Sequence, residues 1–290
     1  MKKKLFIISV LVALLVLSGC GSATADMSSA APEQPASAVE QEEQPSAEPE
    51  QKEEADQSAE NEQAAQVENG GQDEQAEAES QKNGRIVVID AGHQAHQNSG
   101  QEPIGPGASQ TKPKVSSGTQ GKYTGVPEYQ LNLDVALKLR DELSKRGYNV
   151  IMVRETNDVD ISNSERAAVA NNAHADAFIR IHADGAESGD PAGTMTMCQT
   201  ASNPYNGGIY QQCRALSESV VNAVCEQTGA KNRGVMETDT MSGINWCQVP
   251  VTIVEMGYMT NQQEDTLMQT PDYQNKIAVG IANGIDRFLQ

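Results

Sequence analysis

The chain has 290 residues and a formal charge of −19, with only 4% aromatic residues. The charge is uneven: residues 21–83 hold 17 acids against two lysines, the first 20 residues carry three lysines and no acid, and residues 84–290 are left at −7. Those 207 residues suffice for one domain with a sizeable core, and their mildly acidic balance excludes a nucleic acid partner, which calls for a basic face.

In chain order, Lys2, Lys3 and Lys4 precede a run from Leu5 to Leu17 in which only Ser9 is polar. Such a run is shorter than the roughly 20 apolar residues of a bilayer span and fits the h-region of a secretory signal, so residues 1–20 are expected to be a signal peptide. Leu17-Ser18-Gly19-Cys20 resembles the bacterial lipobox, which implies a lipid anchor on Cys20, at the membrane and outside the cytoplasm. Residues 21–83 contain no aromatic residue and no cysteine. They cannot bury enough apolar area to offset their ordering entropy, and their like charges repel, so a disordered acidic linker is expected.

The domain opens on Arg85-Ile86-Val87-Val88-Ile89-Asp90, a buried strand closed by Ala91-Gly92. Residues 94–125 are rich in Gly, Pro, Ser, Thr and Gln without a period, and predict a long functional loop. Lys112, Lys114, Lys122 and Tyr123 sit there, suited to gating a substrate groove or holding an acidic polymer, or simply to solvation. Glu128 to Arg146 places Leu131, Val135, Leu139 and Leu143 four apart, with Gly147 behind them: an amphipathic helix. Strands follow over 148–153, 176–181, 193–198, 235–238 and 249–255, and helices over about 162–175, 208–228 and 272–288. Alternating strands and helices predict α/β layering in a single domain, 84–290.

His93, His182 and Glu255 each fall at or just past the end of an expected strand, and Glu128 in the first turn of a helix. In an open α/β sheet that rim is where ligands bind. Two imidazoles, one carboxylate and an open position make a hydrolytic zinc site, with a second carboxylate spare. Singly each has an ordinary explanation: a loop histidine, a core histidine, an acid favoured by the helix dipole. Glu255 is the oddest, because it directly follows Val251-Thr252-Ile253-Val254 and an unpaired buried carboxylate is costly.

Val88-Ile89-Asp90-Ala91-Gly92-His93, Glu128 with Asn132-Leu133, Arg166 with Ala170-Asn171, Ile179-Arg180-Ile181-His182-Ala183-Asp184 and Val254-Glu255-Met256-Gly257-Tyr258-Met259-Thr260-Asn261 resemble the successive blocks of the zinc-dependent N-acetylmuramoyl-L-alanine amidases of bacterial cell walls, the type 3 amidases. The resemblance covers nearly all of 84–290. It implies a mixed, mostly parallel β-sheet flanked by helices, Zn²⁺ held by His93, Glu128 and His182, Glu255 as the catalytic carboxylate, and peptidoglycan as substrate. Arg166 would ion-pair with an acid and support the rim, or be a surface or structural arginine. The chain departs from the pattern at Gln94, often Gly, at Arg180, commonly Ser, and at Asp184, usually Asn.

His96 follows His93 by three residues within a polar loop and is read as no ligand, and His174 as a structural residue at a helix end. Once Cys20 is lipidated, Cys198, Cys213, Cys225 and Cys247 remain, as buried thiols or with pairing open. Cys213 and Cys225 share a helix, about 18 Å apart in rise, and cannot bridge each other. The alternatives to an amidase are a zinc peptidase acting on wall stem peptides and a non-catalytic wall-binding lipoprotein.

Overall fold

The computed structural model describes residues 83–290; the expected signal peptide 1–20, Cys20 and all but the last residue of the acidic segment 21–83 lie outside the described residues. Eight strands form, in chain order, β1 (Ile86–Ala91), β2 (Asn98–Pro103), β3 (Thr111–Val115), β4 (Asn149–Met152), β5 (Ala177–Asp184), β6 (Thr194–Cys198), β7 (Asn232–Glu237) and β8 (Val251–Tyr258). Between them lie helices α1 (Glu128–Lys145), α2 (Asn163–Asn172), α3 (Tyr210–Thr228), α4 (Ser242–Asn245), α5 (Gln262–Met268) and α6 (Pro271–Leu289).

Six strands make one sheet in the order β4-β1-β5-β8-β6-β7. The first four are parallel to one another, and β6 runs antiparallel to β8 with β7 parallel to β6. The mixed, mostly parallel sheet is therefore as the resemblance implies. Both faces are covered, which is why β1 reads as a continuous apolar run. Val87, Ile89 and Ala91 face a core built with Leu131, Leu139, Leu216, Ile277 and Ile281 of α1, α3 and α6. Val88 points the other way, with Phe178, toward Ala167 and Ala170 of α2 and Ile244 of α4. Among the described residues, no helix is long and apolar enough to cross a membrane.

Local chemistry accounts for the element ends. Ser162 caps α2 by accepting from the Glu165 amide while the Glu165 carboxylate accepts from the Ser162 amide. α1 stops before Gly147, whose φ of 83° is the left-handed conformation glycine adopts without cost.

Three expectations are corrected. The 94–125 segment is not structureless: β2 and β3 pair antiparallel within it, as largely polar strands that contain Pro103 and Pro113 and bury only Glu102 and Val115, too little apolar surface to betray them. This hairpin is tied to the body by Trp246 Nε1 donating to the Pro103 carbonyl at 2.9 Å and Lys112 Nζ donating to the Thr240 carbonyl at 2.7 Å. β5 runs on to Asp184 and β8 to Tyr258, so His182 and Glu255 lie within strands rather than at their ends. Helices α4 and α5 were not foreseen; they are four and seven residues long, too short to show a period. Cys198, Cys213, Cys225 and Cys247 are all free thiols, of which Cys225 alone is not fully buried.

Candidate metal centre

The expected residues converge. His182 of β5 is the register partner of Glu255 on the adjacent parallel strand β8. His93 stands two residues beyond β1, and Glu128 is the first residue of α1. His93 Nε2, His182 Nδ1 and Glu128 Oε1 form a triangle whose three edges are each 3.2 Å. The same three residues are the one group of three or more potential ligands found among the described residues. Three vertices of a tetrahedron around an ion with bonds of ~2.0 Å lie ~3.3 Å apart, the spacing a four-coordinate zinc site requires. The donor set and the triangle fit such an ion. His93, His182 and Glu255 border both of two adjoining cavities, of about 670 and 310 Å³.

The protonation states suit ligation. His93 Nδ1 donates to the Ser116 carbonyl at 2.9 Å, which leaves the Nε2 lone pair facing the cluster. Burial pushes His182 down to about 4, so the ring is neutral at pH 7. Burial pushes the Glu128 carboxyl up, but contacts from His182 and His93 outweigh it and hold the group well below the usual carboxylate range. Glu128 is also fixed by amide donors, Thr119 N to Oε2 at 2.8 Å and Ala183 N to Oε1 at 3.2 Å. Asn132, one turn on, donates to Oε1 and to the Gly92 carbonyl. His182 Nε2 and Glu255 Oε2 are buried without hydrogen-bond partners. Burial raises the Glu255 carboxyl well above its ordinary range, helped by the negative charges of Glu128 and Asp184.

Backbone constraint surrounds the triangle. His93 has φ of 60°, uncommon for a residue with a side chain. Gly92 has no side chain because none fits: a Cβ there would lie 2.2 Å from His182 Cε1. Arg166, expected either to ion-pair with an acid and support the rim or to be a surface or structural arginine, is wholly buried. It pairs with Asp90 at 2.7 Å and donates to the carbonyls of Ala91 and His93. Arg154 Nε and Nη2 donate to the carbonyls of Ala91 and Gly92 at 2.7 and 3.0 Å.

Asp90 and Arg154 were given no role by sequence reasoning. Each is a charge ending an apolar β-branched run, the signal that singled out Glu255. Gln94 is buried and takes a hydrogen bond from Arg166 Nη2 at 2.7 Å, so it reinforces the loop where the resemblance leads one to expect Gly. Asp184 pairs with Arg233 at 3.1 Å. His96 is outside the site, exposed, with Asp158 at 4.0 Å. His174 is exposed just after α2, with φ of 48°.

Comparison with known proteins identifies the family. Residues 87–287 match the model of the N-acetylmuramoyl-L-alanine amidase family. The YqiI protein of Bacillus subtilis is 29% identical over 73% of this chain and 89% of its own length. The N-acetylmuramoyl-L-alanine amidase Rv3717 of Mycobacterium tuberculosis is 27% identical over 71% of this chain and 87% of its own. The crystal structure of the amidase Ami1 from Mycobacterium smegmatis superposes with a TM-score of 0.65 at 28% identity, covering 72% of this chain and 98% of that one. With the match running from β1 almost to the end of α6, the chain belongs to the N-acetylmuramoyl-L-alanine amidase family.

Proposed function

We propose that this chain is a zinc-dependent peptidoglycan amidase that hydrolyses the amide between the lactyl group of N-acetylmuramic acid and L-alanine. The observation that carries the reading is the 3.2 Å triangle of His93 Nε2, His182 Nδ1 and Glu128 Oε1, beside a second carboxylate, Glu255, that has no partner for Oε2. Two neutral imidazoles and one carboxylate would leave zinc about one net positive charge. When bound there, such an ion would lower the pKa of a coordinated water to ~7 and polarise the attacked carbonyl.

The chain's own groups do the rest. Glu128, anchored by two backbone amides and Asn132, holds its oxygen in place. Glu255 accepts the proton of the attacking water and returns one to the alanine nitrogen as the C–N bond breaks. Burial beside Glu128 and Asp184 raises its affinity for a proton, the direction a proton-accepting carboxylate needs. The cleft around the cluster leaves room for glycan and peptide on either side.

Lipidation at Cys20 and the acidic segment 21–83 would tether this domain to the outer side of the membrane, facing the wall. Both belong to this proposal and rest on sequence alone.

The test is digestion of purified sacculi by the zinc-loaded full chain, followed by product analysis. Amidase action frees N-terminal L-alanine and leaves the glycan intact. A new terminus at a D-centre would make the enzyme a stem-peptide peptidase, and muropeptide retained uncut would make it a binding protein. Glu255→Gln should keep its metal and lose nearly all turnover; metal loss in that variant would make Glu255 a ligand instead.

A further inference from the structure

The two cavities that meet at the cluster differ in charge. The larger is bordered by Glu128, Asp184, Glu187 and Glu255, with no lysine or arginine among its lining residues. The smaller, about 310 Å³, is bordered by Lys112 and Arg180, with Glu255 as its one acid, and by apolar Val115, Met197 and Ile253. Arg180 is 3% exposed. Its Nε donates to Asp90 Oδ2 at 2.9 Å and its Nη2 to Asn163 Oδ1 at 2.8 Å. Nη1 has no hydrogen-bond partner among the described residues. It lies against Gly243, another wall of this cavity, where an added Cβ would sit 1.3 Å from it.

Asp90 does not neutralise this charge, because it is shared with Arg166. The trio keeps one net positive charge, with the free N–H groups of Arg180 on the cavity side. Unpaired donors on a nearly buried guanidinium call for an acceptor, and a carboxylate is the acceptor that suits a planar cation. Of the two halves of the proposed substrate, the glycan half is uncharged along its chain while the peptide half carries carboxyl groups.

We propose that the smaller cavity takes the peptide side of the scissile amide and that Arg180 Nη1 binds a carboxylate of that peptide, so the enzyme prefers stem peptides whose second residue has a free α-carboxyl over those where it is a carboxamide. The inference rests on the amidase reading above. It assigns a specificity role to a residue at which the chain departs from the family's usual serine.

The experiment uses zinc-loaded full chain and two synthetic substrates, both N-acetylmuramoyl-L-alanyl-D-glutamate γ-methylamides, with the α-carboxyl either free or a primary carboxamide. The free acid should give the higher kcat/KM by about ten- to a hundredfold, the range of a hydrogen bond to a charged group. Arg180→Gln should bring the ratio within about threefold of unity by slowing the acid far more than the carboxamide. Gly243→Ala, which puts a methyl where Nη1 now lies, should shrink the ratio while keeping the charge, and serves if Arg180→Gln does not fold. A wild-type ratio near or below one overturns the proposal, as does a preference that survives in both variants. Hydrolysis of neither substrate overturns the amidase reading itself, and this one with it.

Discussion

Replacing Asp90 with asparagine should be among the most damaging changes outside the cluster itself. The carboxylate is fully buried and serves two buried arginines, Arg166 at 2.7 Å and Arg180 at 2.9 Å. Removing one partner of a buried ion pair costs about 3–5 kcal/mol, because the other charge is left without compensation. Here two cations lose a shared anion, but contacts in one network do not add, and asparagine keeps an acceptor oxygen. The expected loss is thus about 4 kcal/mol, or about 8–16 °C in melting temperature for a domain of this size. Thermal unfolding of the full chain, wild type against Asp90→Asn, measures it. The two arginines hold the Asp90 carboxyl far below its ordinary 3.8, against the upward push of burial. A depressed folded value means the stabilisation is present above the unfolded value and lost as pH falls. The gap between the two proteins should be level from pH 7 to about pH 5 and narrow below about pH 4. A gap under about 1 kcal/mol at pH 7, or one that widens in acid, would refute the reasoning.

Other substitutions test the metal cluster. His182→Ala should lower zinc occupancy by elemental analysis, and unchanged occupancy would mean the ligand set is wrong. Gly92→Ala sets a methyl 2.2 Å from the His182 ring; it should cost about 1–3 kcal/mol by overpacking and weaken zinc binding at least tenfold by titration, whereas a fully active, zinc-replete variant would contradict the packing described. In the metal-free protein His182 stays neutral down to about 4, below the ~6.5 of an unfolded chain. The unfolded state therefore binds the extra proton first, and stability should fall as pH drops from about 6.5 to 4 by one proton's worth more than in His182→Ala.

The four cluster residues were legible because each interrupts a strong local pattern: a histidine after Ala91-Gly92, an acid opening a four-spaced helix, a histidine and an acid in apolar strands. Sequence placed His182 and Glu255 at strand tips, yet β5 and β8 run two and three residues further. A strand with both faces buried gives no sign of its end until the apolar run stops, and a polar side chain directed into a cleft reads as that stop. The β2–β3 hairpin was invisible for the opposite reason. Its strands pair through backbone groups, and across Asn98–Pro103 and Thr111–Val115 the one buried apolar side chain is Val115. Arg166 was noticed without its partner. Asp90 lies 76 residues away, and only the β1–β5 pairing and the placing of α2 bring them together.

Those charges have a reason to be buried that the triangle itself supplies. His93 must present Nε2 to the cluster while its ring lies edge-on to His182, with centroids 4.8 Å apart and planes at 82°. The chain manages this with a φ of 60°, a conformation costing about 1–2 kcal/mol for a residue with a side chain. Glycine would remove the strain and the ligand together, so the strain must be outweighed by what surrounds it. Three consecutive carbonyls do that. Ala91 accepts from Arg154 and Arg166, Gly92 from Arg154 and Asn132, and His93 from Arg166. A fork of planar donors fixes adjacent carbonyls in a way that one ammonium cannot. Two buried guanidiniums need a counter-charge, and Asp90, itself on β1 just before those carbonyls, provides it for Arg166. The ionic network is thus the support of one strained turn. Lysine at 166 would keep the charge, lose the shared grip on Asp90 and the two carbonyls, and release His93 toward an ordinary conformation that no longer meets Glu128.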